Sequence, residues 1–513
     1  MKRTSKRVMA VAVSLAMVLT GSTSALAATT NPEISDREIE HKTAAKNIAA
    51  QGMVLLENKN NSLPISKEKG TKIALFGQGV YNTIKGGTGS GAVNQRDNVT
   101  VQQGFENAGY DIVDIDFVNQ MHERWTANGG GTSQGWSYKW VNEPIYEQTE
   151  GAVDQIKAAA EKTDTAIYVI ARNSGEGSDR SAGKGDYLLS DDEEANLKLL
   201  GQNFENVVVL YNGANPIEMG FVNDYKQIKA AIWCAGPGNV GFEALGEILS
   251  GEVNPSGRTP DTFPYNLKAA PWWNNGTYTD YTNLADLAVE GMNAGKPQVY
   301  SPSFIDYVEG IYVGYKYYET AAVEGIIDYD KTVQYPFGYG LSYTTFSQKM
   351  SNLTDNGNSI QFDVTVTNTG NTAGKDVVEV YYNPPYNNGG IEKASANLIV
   401  FEKTELLEPG ESKTITISLN KEEMASYDMS GTGCYVLEQG NYIISVNRDS
   451  HNILDSRTYA QPNDIRYDGD NKRSSDAITA INQFGDAQGD STYLSRADHF
   501  ANHEEATSAP AVT

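Results

Sequence analysis

Thr165-Ala166-Ile167-Tyr168-Val169-Ile170 is an unbroken apolar run and reads as a strand. Next come Asn173-Ser174-Gly175-Glu176-Gly177-Ser178-Asp179-Arg180, and then Asp191 to Glu205. The latter reads as a helix, with acids in its first turn where the helix dipole favours them. Val207-Val208-Val209-Leu210 is a second strand. Strand, loop, helix and strand in this order make an α/β unit, so the loop 173–180 sits at the carboxyl end of a strand. Such folds place ligand chemistry there. The loop offers one central carboxylate, Glu176, between two glycines that allow a sharp turn and close approach of a substrate.

The same rhythm extends both ways. Lys72 to Gly77 reads as a strand, Val101 to Ala108 as a helix stopped by Gly109, and Asp111 to Phe117 as an alternating strand. Gly151 to Lys162 is a helix, Ala230 to Trp233 a strand and Phe242 to Ser250 a helix. Upstream, Asp36 to Glu57 reads as a helix capped by Ser35. The expected fold is an α/β sandwich, a mostly parallel sheet with helices on both faces. Pro260 to Tyr343, rich in Tyr, Trp, Pro, Gly and Asn, reads as a long wrapping excursion. From Ser359 the pattern is all strand: Gln361–Thr367, Val377–Tyr382, Ala396–Phe401, Ser412–Leu419 and Tyr442–Val446, separated by turn residues. About seven short strands over about 100 residues predict an all-β sandwich. Residues 456–513 are polar and linker-like.

The N-terminus reads as an export signal over residues 1–27. It has a basic start (Lys2, Arg3, Lys6, Arg7), an apolar run Val8–Leu19 and a small-x-small site, Ala25-Leu26-Ala27. Acidic residues outnumber basic ones 65 to 40, for a net charge of −25, which argues against nucleic acid and anionic membranes as partners. Cys234 and Cys434 are 200 residues apart and are expected as small buried residues rather than a disulfide. Five scattered histidines lack metal-ligand spacing, and no cofactor is expected.

A second loop, Lys85-Gly86-Gly87-Thr88-Gly89-Ser90-Gly91-Ala92, carries a permissive dinucleotide pattern, with Asp116 at the ribose-binding distance. It neither follows its strand directly nor opens a helix, so its glycines cannot present a helix N-terminus to a pyrophosphate. No Lys-Ser/Thr pair follows it, so it is not a P-loop either. A Gly-rich surface loop or a substrate-edge loop remains.

Glu176 is most simply a solvated loop acid, and Asp179-Arg180 a local ion pair. If the loop acts on a substrate, Glu176 donates a proton while Asp179 and Arg180 orient it. A glycosidase needs a second carboxyl group as nucleophile or base.

Several ordered motifs resemble glycoside hydrolase family 3, which includes β-glucosidases and β-xylosidases. They are Ala49–Asn58 with Leu63-Pro64, Gly86–Gly91, Asn173–Arg180, Asn215–Met219, Gly236-Pro237-Gly238, Gly251–Arg258 with Thr262-Phe263-Pro264, Glu309–Tyr318 and Tyr335–Phe346. Val366–Gly370, Ala373-Gly374-Lys375 and Glu408-Pro409-Gly410 resemble the family's fibronectin type III-like domain. The resemblance implies residues 28–346 as the α/β-sandwich domain, 347–455 as the fibronectin-like domain and 456–513 as a tail. It implies Glu176 as acid/base residue, with Gly87, Ser90, Asp179 and Arg180 at the substrate rim. It also implies a retaining β-glucosidase whose nucleophile is an aspartate on a (β/α)8 barrel. Neither the residues before 40 nor those after 455 suffice for a barrel of about 250 residues. Asp498 lies in a polar stretch without the strand that should hold a nucleophile. The expectation is a chain that needs a barrel-bearing polypeptide to hydrolyse β-linked glucosides. The alternative is a non-catalytic carbohydrate-binding protein, or a truncated inactive half.

Overall fold

The computed structural model describes residues 33–66, 68–87, 96–134, 137–138, 140–174, 180–273, 279–280, 283–305, 307–483, 485 and 492–507. The proposed signal, residues 1–27, lies outside them. One unit ends at Ala45 and the second runs from Lys46 onward.

In chain order the first elements are α1 (Asp36–Gly52), β1 (Val54–Asn58), β2 (Lys72–Phe76), α2 (Val101–Asn107), β3 (Asp111–Ile112), α3 (Ile115–Ala127) and α4 (Ala152–Ala160). Then come β4 (Thr165–Ala171), α5 (Asp191–Asn203), β5 (Asn206–Asn212), β6 (Ile228–Trp233) and α6 (Phe242–Ser250). The strands form one sheet in the order β1-β6-β5-β4-β2-β3. All neighbours are parallel except β1, which runs antiparallel to β6 with Val54 opposite Trp233. Strand β4 explains its own sequence. Tyr168 and Ile170 pack with Phe76 and Val209 on one face, and Ile167 and Val169 with Leu75 and Val208 on the other. With both faces covered, no alternation of apolar and polar residues survives.

Two sequence expectations are corrected here. The helix expected through Glu57 stops at Gly52, and Val54-Leu55-Leu56 becomes the buried start of β1. Its apolar residues fit either period, and pairing with β6 settles the matter. The strand expected over Asp111–Phe117 is only two residues long. The Asp114 carboxylate accepts Leu75 N–H at 3.0 and 3.1 Å, taking the place of a ladder partner. The chain then turns into α3, which buries Phe117, Val118 and Met121.

The excursion carries α7 (Tyr315–Val323). Beyond it lie β7 (Phe346–Met350), β8 (Ser359–Asn368), β9 (Val377–Asn383), β10 (Asn397–Lys403), β11 (Ser412–Asn420), β12 (Gly440–Asn447) and β13 (Ile453–Gln461). Antiparallel β8 lies between β7 and β11, and a second sheet has the order β10-β9-β12-β13. Val364, Val366, Val380, Ile417 and Ile444 share their core. The polar stretch expected from residue 456 therefore begins inside a strand. Farther on, Leu494, Phe500 and Ala506 are buried with Tyr312, Tyr317 and Tyr318. A few apolar residues anchor this segment, and its average composition hides them. Cys234 and Cys434 are buried free thiols, as expected. Among the described residues no helix is long and apolar enough to cross a membrane.

Candidate active site at the carboxyl edge of the sheet

The carboxyl ends of β2, β4, β5 and β6 open on one edge, and four chain segments converge there. The Asn212 amide, at the end of β5, ties three of them together. It accepts Ile84 N–H at 2.7 Å and donates to the carbonyls of Ile84 and Ala235 at 2.7 and 2.8 Å. Gly238 N–H donates to the Lys85 carbonyl at 2.8 Å. Gly236 keeps this approach open, since a Cβ there would crowd the Gly86 Cα at 3.2 Å. The fourth segment follows β4. Ser174 Oγ meets Asn215 Oδ1 at 2.5 Å, and a Cβ on exposed Gly87 would be 4.0 Å from the Ser174 carbonyl. Gly87 is thus at the rim beside the start of the Glu176 loop. Asn173 Oδ1 is enclosed there with no donor among the described residues.

Glu176, Asp179 and Ser90 lie outside the described residues. The two flanks of the Glu176 loop are described, and an arginine holds each. At the exit from β4, buried Arg172 makes a two-pronged contact with Glu193, at 2.7 and 2.6 Å. Its Nε–H also donates to the Asp186 carbonyl at 2.8 Å. Glu193 in turn closes the capping box of α5, accepting Ser190 N–H at 2.8 Å while Ser190 Oγ accepts Glu193 N–H at 3.1 Å. On the return side Arg180 pairs with the Asp186 carboxylate, which also accepts Ser181 N–H. Arg180 is thus placed as a clamp on the loop.

Sequence reading missed Arg172, Glu193 and Asn212. Their signals were present: a charged residue closing an apolar strand, and Ser190-x-x-Glu193 before a helix. It also missed Glu143, which accepts Gln78 N–H and Tyr168 OH, both at 3.1 Å, and the Tyr146 hydroxyl. Burial pushes its carboxyl up to about 8, although the Tyr146, Tyr168 and Gln78 donors oppose the shift. Such a shift marks an acid/base candidate. Glu143 is nonetheless enclosed by Phe76, Tyr81 and Phe117, beyond the reach of a sugar. Asp498 sits on an exposed turn and accepts Ala501 N–H at 3.2 Å. Among the described residues no cluster of His, Cys, Asp or Glu could hold a metal ion.

Comparison with known proteins places this architecture. The glycosyl hydrolase family 3 C-terminal domain matches residues 53–315, and the fibronectin type III-like domain matches residues 376–450. Beta-glucosidase A of Butyrivibrio fibrisolvens is 34% identical over 439 residues, covering 77% of this chain and 48% of that protein. The beta-glucosidase of Ruminococcus albus is 34% identical over 417 residues, covering 80% and 40%. Beta-glucosidase 3B from Thermotoga neapolitana, solved with α-D-glucose, superposes with a TM-score of 0.70 at 30% identity, covering 85% of this chain and 56% of that one. The chain spans less than half the length of these two curated relatives.

Proposed function

The chain belongs to glycosyl hydrolase family 3, and from that premise we propose that it supplies the acid/base half of a retaining β-glucosidase. Glu176 protonates the leaving glycosidic oxygen as the bond breaks, then takes a proton from the water that releases the sugar. The nucleophile is a carboxylate about 5–5.5 Å away, carried on a (β/α)8 barrel of the kind the resemblance implies. The reading assigns such a barrel to the part of the relatives that this chain does not match. Gly87, Ser90, Asp179 and Arg180 form the rim that receives the glucoside. The reading rests on one observation: both described flanks of the Glu176 loop are held by ion pairs, and the leading flank lies beside Gly87 at the edge where a parallel sheet binds ligands. A donor must hold its proton near neutral pH, and closure of the cleft by the barrel would desolvate Glu176 enough to do so. The basic and apolar N-terminus supports action outside the cytoplasm.

The test is hydrolysis of β-glucosides by the purified chain, alone and mixed with the unmatched half of the Butyrivibrio relative. The mixture should turn over and the chain alone should not. In the mixture, Glu176→Ala should lower kcat/KM by about 10²–10⁴-fold for alkyl glucosides. The loss should be far smaller for a dinitrophenyl glucoside, whose leaving group needs no proton. Full activity of Glu176→Ala on alkyl glucosides would sink the acid/base assignment. Turnover by the chain alone would sink the two-part site.

A further inference from the structure

A cavity of about 550 Å³ lies far along the chain from the Glu176 loop, bounded by the start of α7, the 389–397 and 425–435 segments and residues 493–497. That is the size of a small-molecule site. Tyr382, Tyr427, Tyr435 and Tyr493 face it. Its acids are already occupied. Glu392 accepts from Tyr312 OH, Ser495 Oγ and Arg496 N–H, and Asp428 accepts Gly431 and Thr432 N–H. Lys393 is paired with Glu438.

Lys316 is the exception. It lines the cavity, it is half-buried, and its ammonium has no hydrogen-bond or ion-pair partner among the described residues. Burial moves its pKa downward. It also occupies the first turn of α7, a nine-residue helix with no side-chain cap and no acid in that turn. A cation there opposes the helix dipole. Two unfavourable placements coincide, and one anion would relieve both. A local rule broken without compensation inside the protein points to function.

We propose that this cavity binds a sugar ring carrying a carboxylate, a uronate, with its carboxylate on Lys316. A single cation matches a single negative charge, which favours a carboxylate over a phosphate dianion. Tyrosine rings supply faces for a sugar ring. Ser426 and Ser430, whose hydroxyls have no described partner, line the wall for the ring hydroxyls. Paired Gly389 and Gly390 let a ligand approach the backbone closely.

Isothermal titration of the full chain with sodium glucuronate, glucose and sodium benzoate tests this. Glucuronate should bind, and glucose should bind about tenfold or more weakly, the loss of one charge-assisted hydrogen bond. Lys316→Met should lose about tenfold or more in glucuronate affinity, and Lys316→Arg should keep most of it. Without ligand, Lys316→Met should melt about 2 °C higher, because it keeps the packed stem and removes a desolvated charge. Four results would overturn the proposal: equal binding of glucose, undiminished binding by Lys316→Met, a lower melting point for Lys316→Met, or no glucuronate binding at about 50 mM. Benzoate binding as tightly as glucuronate would overturn the assignment to a sugar.

Discussion

At the carboxyl edge of the parallel sheet, both arginines that flank the Glu176 loop meet carboxylates. In the tyrosine-lined cavity, Lys316 meets none among the described residues. The two regions use charge in opposite ways. Arg172 and Arg180 have fixed partners, and each pair holds one described flank of the Glu176 segment. Lys316 has the same sign and is only half-buried, but among the described residues nothing repays the water it has lost.

The comparison breaks most severely at Arg172. Arg172→Met leaves Glu193 buried without its partner and should cost about 3–5 kcal/mol in urea unfolding. A double variant with Glu193→Gln should recover part of the loss. A cost near zero would mean that the pair does not hold the loop.

Acid–base behaviour ranks next. Burial pushes Glu143 up to about 8, Asp114 to about 7 and Glu379 to about 8 in the folded protein. In this window the unfolded chain has released protons that the folded chain still holds, so the sign is fixed. Stability should fall as pH rises from about 5 to about 8, by on the order of a few kcal/mol. Urea titrations across that range check the slope, and Glu143→Gln should flatten it. A stability that rises toward pH 8 would contradict the burial argument.

Arg180 should matter less, because Asp186 is partly exposed. Arg180→Met is expected to cost about 1 kcal/mol or less in the same assay. A cost equal to that of Arg172→Met would erase the distinction between the buried and the surface clamp.

The smallest effect is expected at His451, which contacts Glu319 at 2.9 Å and stacks on Tyr329 with ring centres 3.7 Å apart. The hydrogen bond to Glu319 raises its pKa. This contribution is complete below the unfolded pKa of about 6.5 and disappears as pH rises through the higher folded value. His451→Phe keeps the stacked ring and should lose less than about 1 kcal/mol, below neutral pH only. Melting curves at pH 5.5 and 8.5 separate this from a packing defect, which would appear at both.

The two halves of the sheet were unequally legible from sequence. Strands β4, β5 and β6 and helices α5 and α6 could be read because long apolar runs and acid-rich helix starts depend on neighbours in sequence. β1 could not be, and β3 only at its start. Val54-Leu55-Leu56 fits a helix or a strand equally, and Asp111–Phe117 alternates by accident. The Gly86–Gly87 rim and the loop after β4 were both picked out, and the structure puts Gly87 beside Ser174. Arg180 was picked out too, but its pairing with Asp186 was not. Arg172–Glu193, 21 residues apart, carried only a weak signal.

What the sequence determined by itself was the kind of each layer: a parallel α/β sheet, then an antiparallel sandwich, with one candidate acid at a strand end. Periodicity and ordered motifs are local, and local patterns survive without coordinates. Which charges are paired was decided only by the tertiary structure. Arg172, Arg180 and Lys316 are equally basic on the page. They differ in what the fold brings within 3 Å of them, and in how much water it removes.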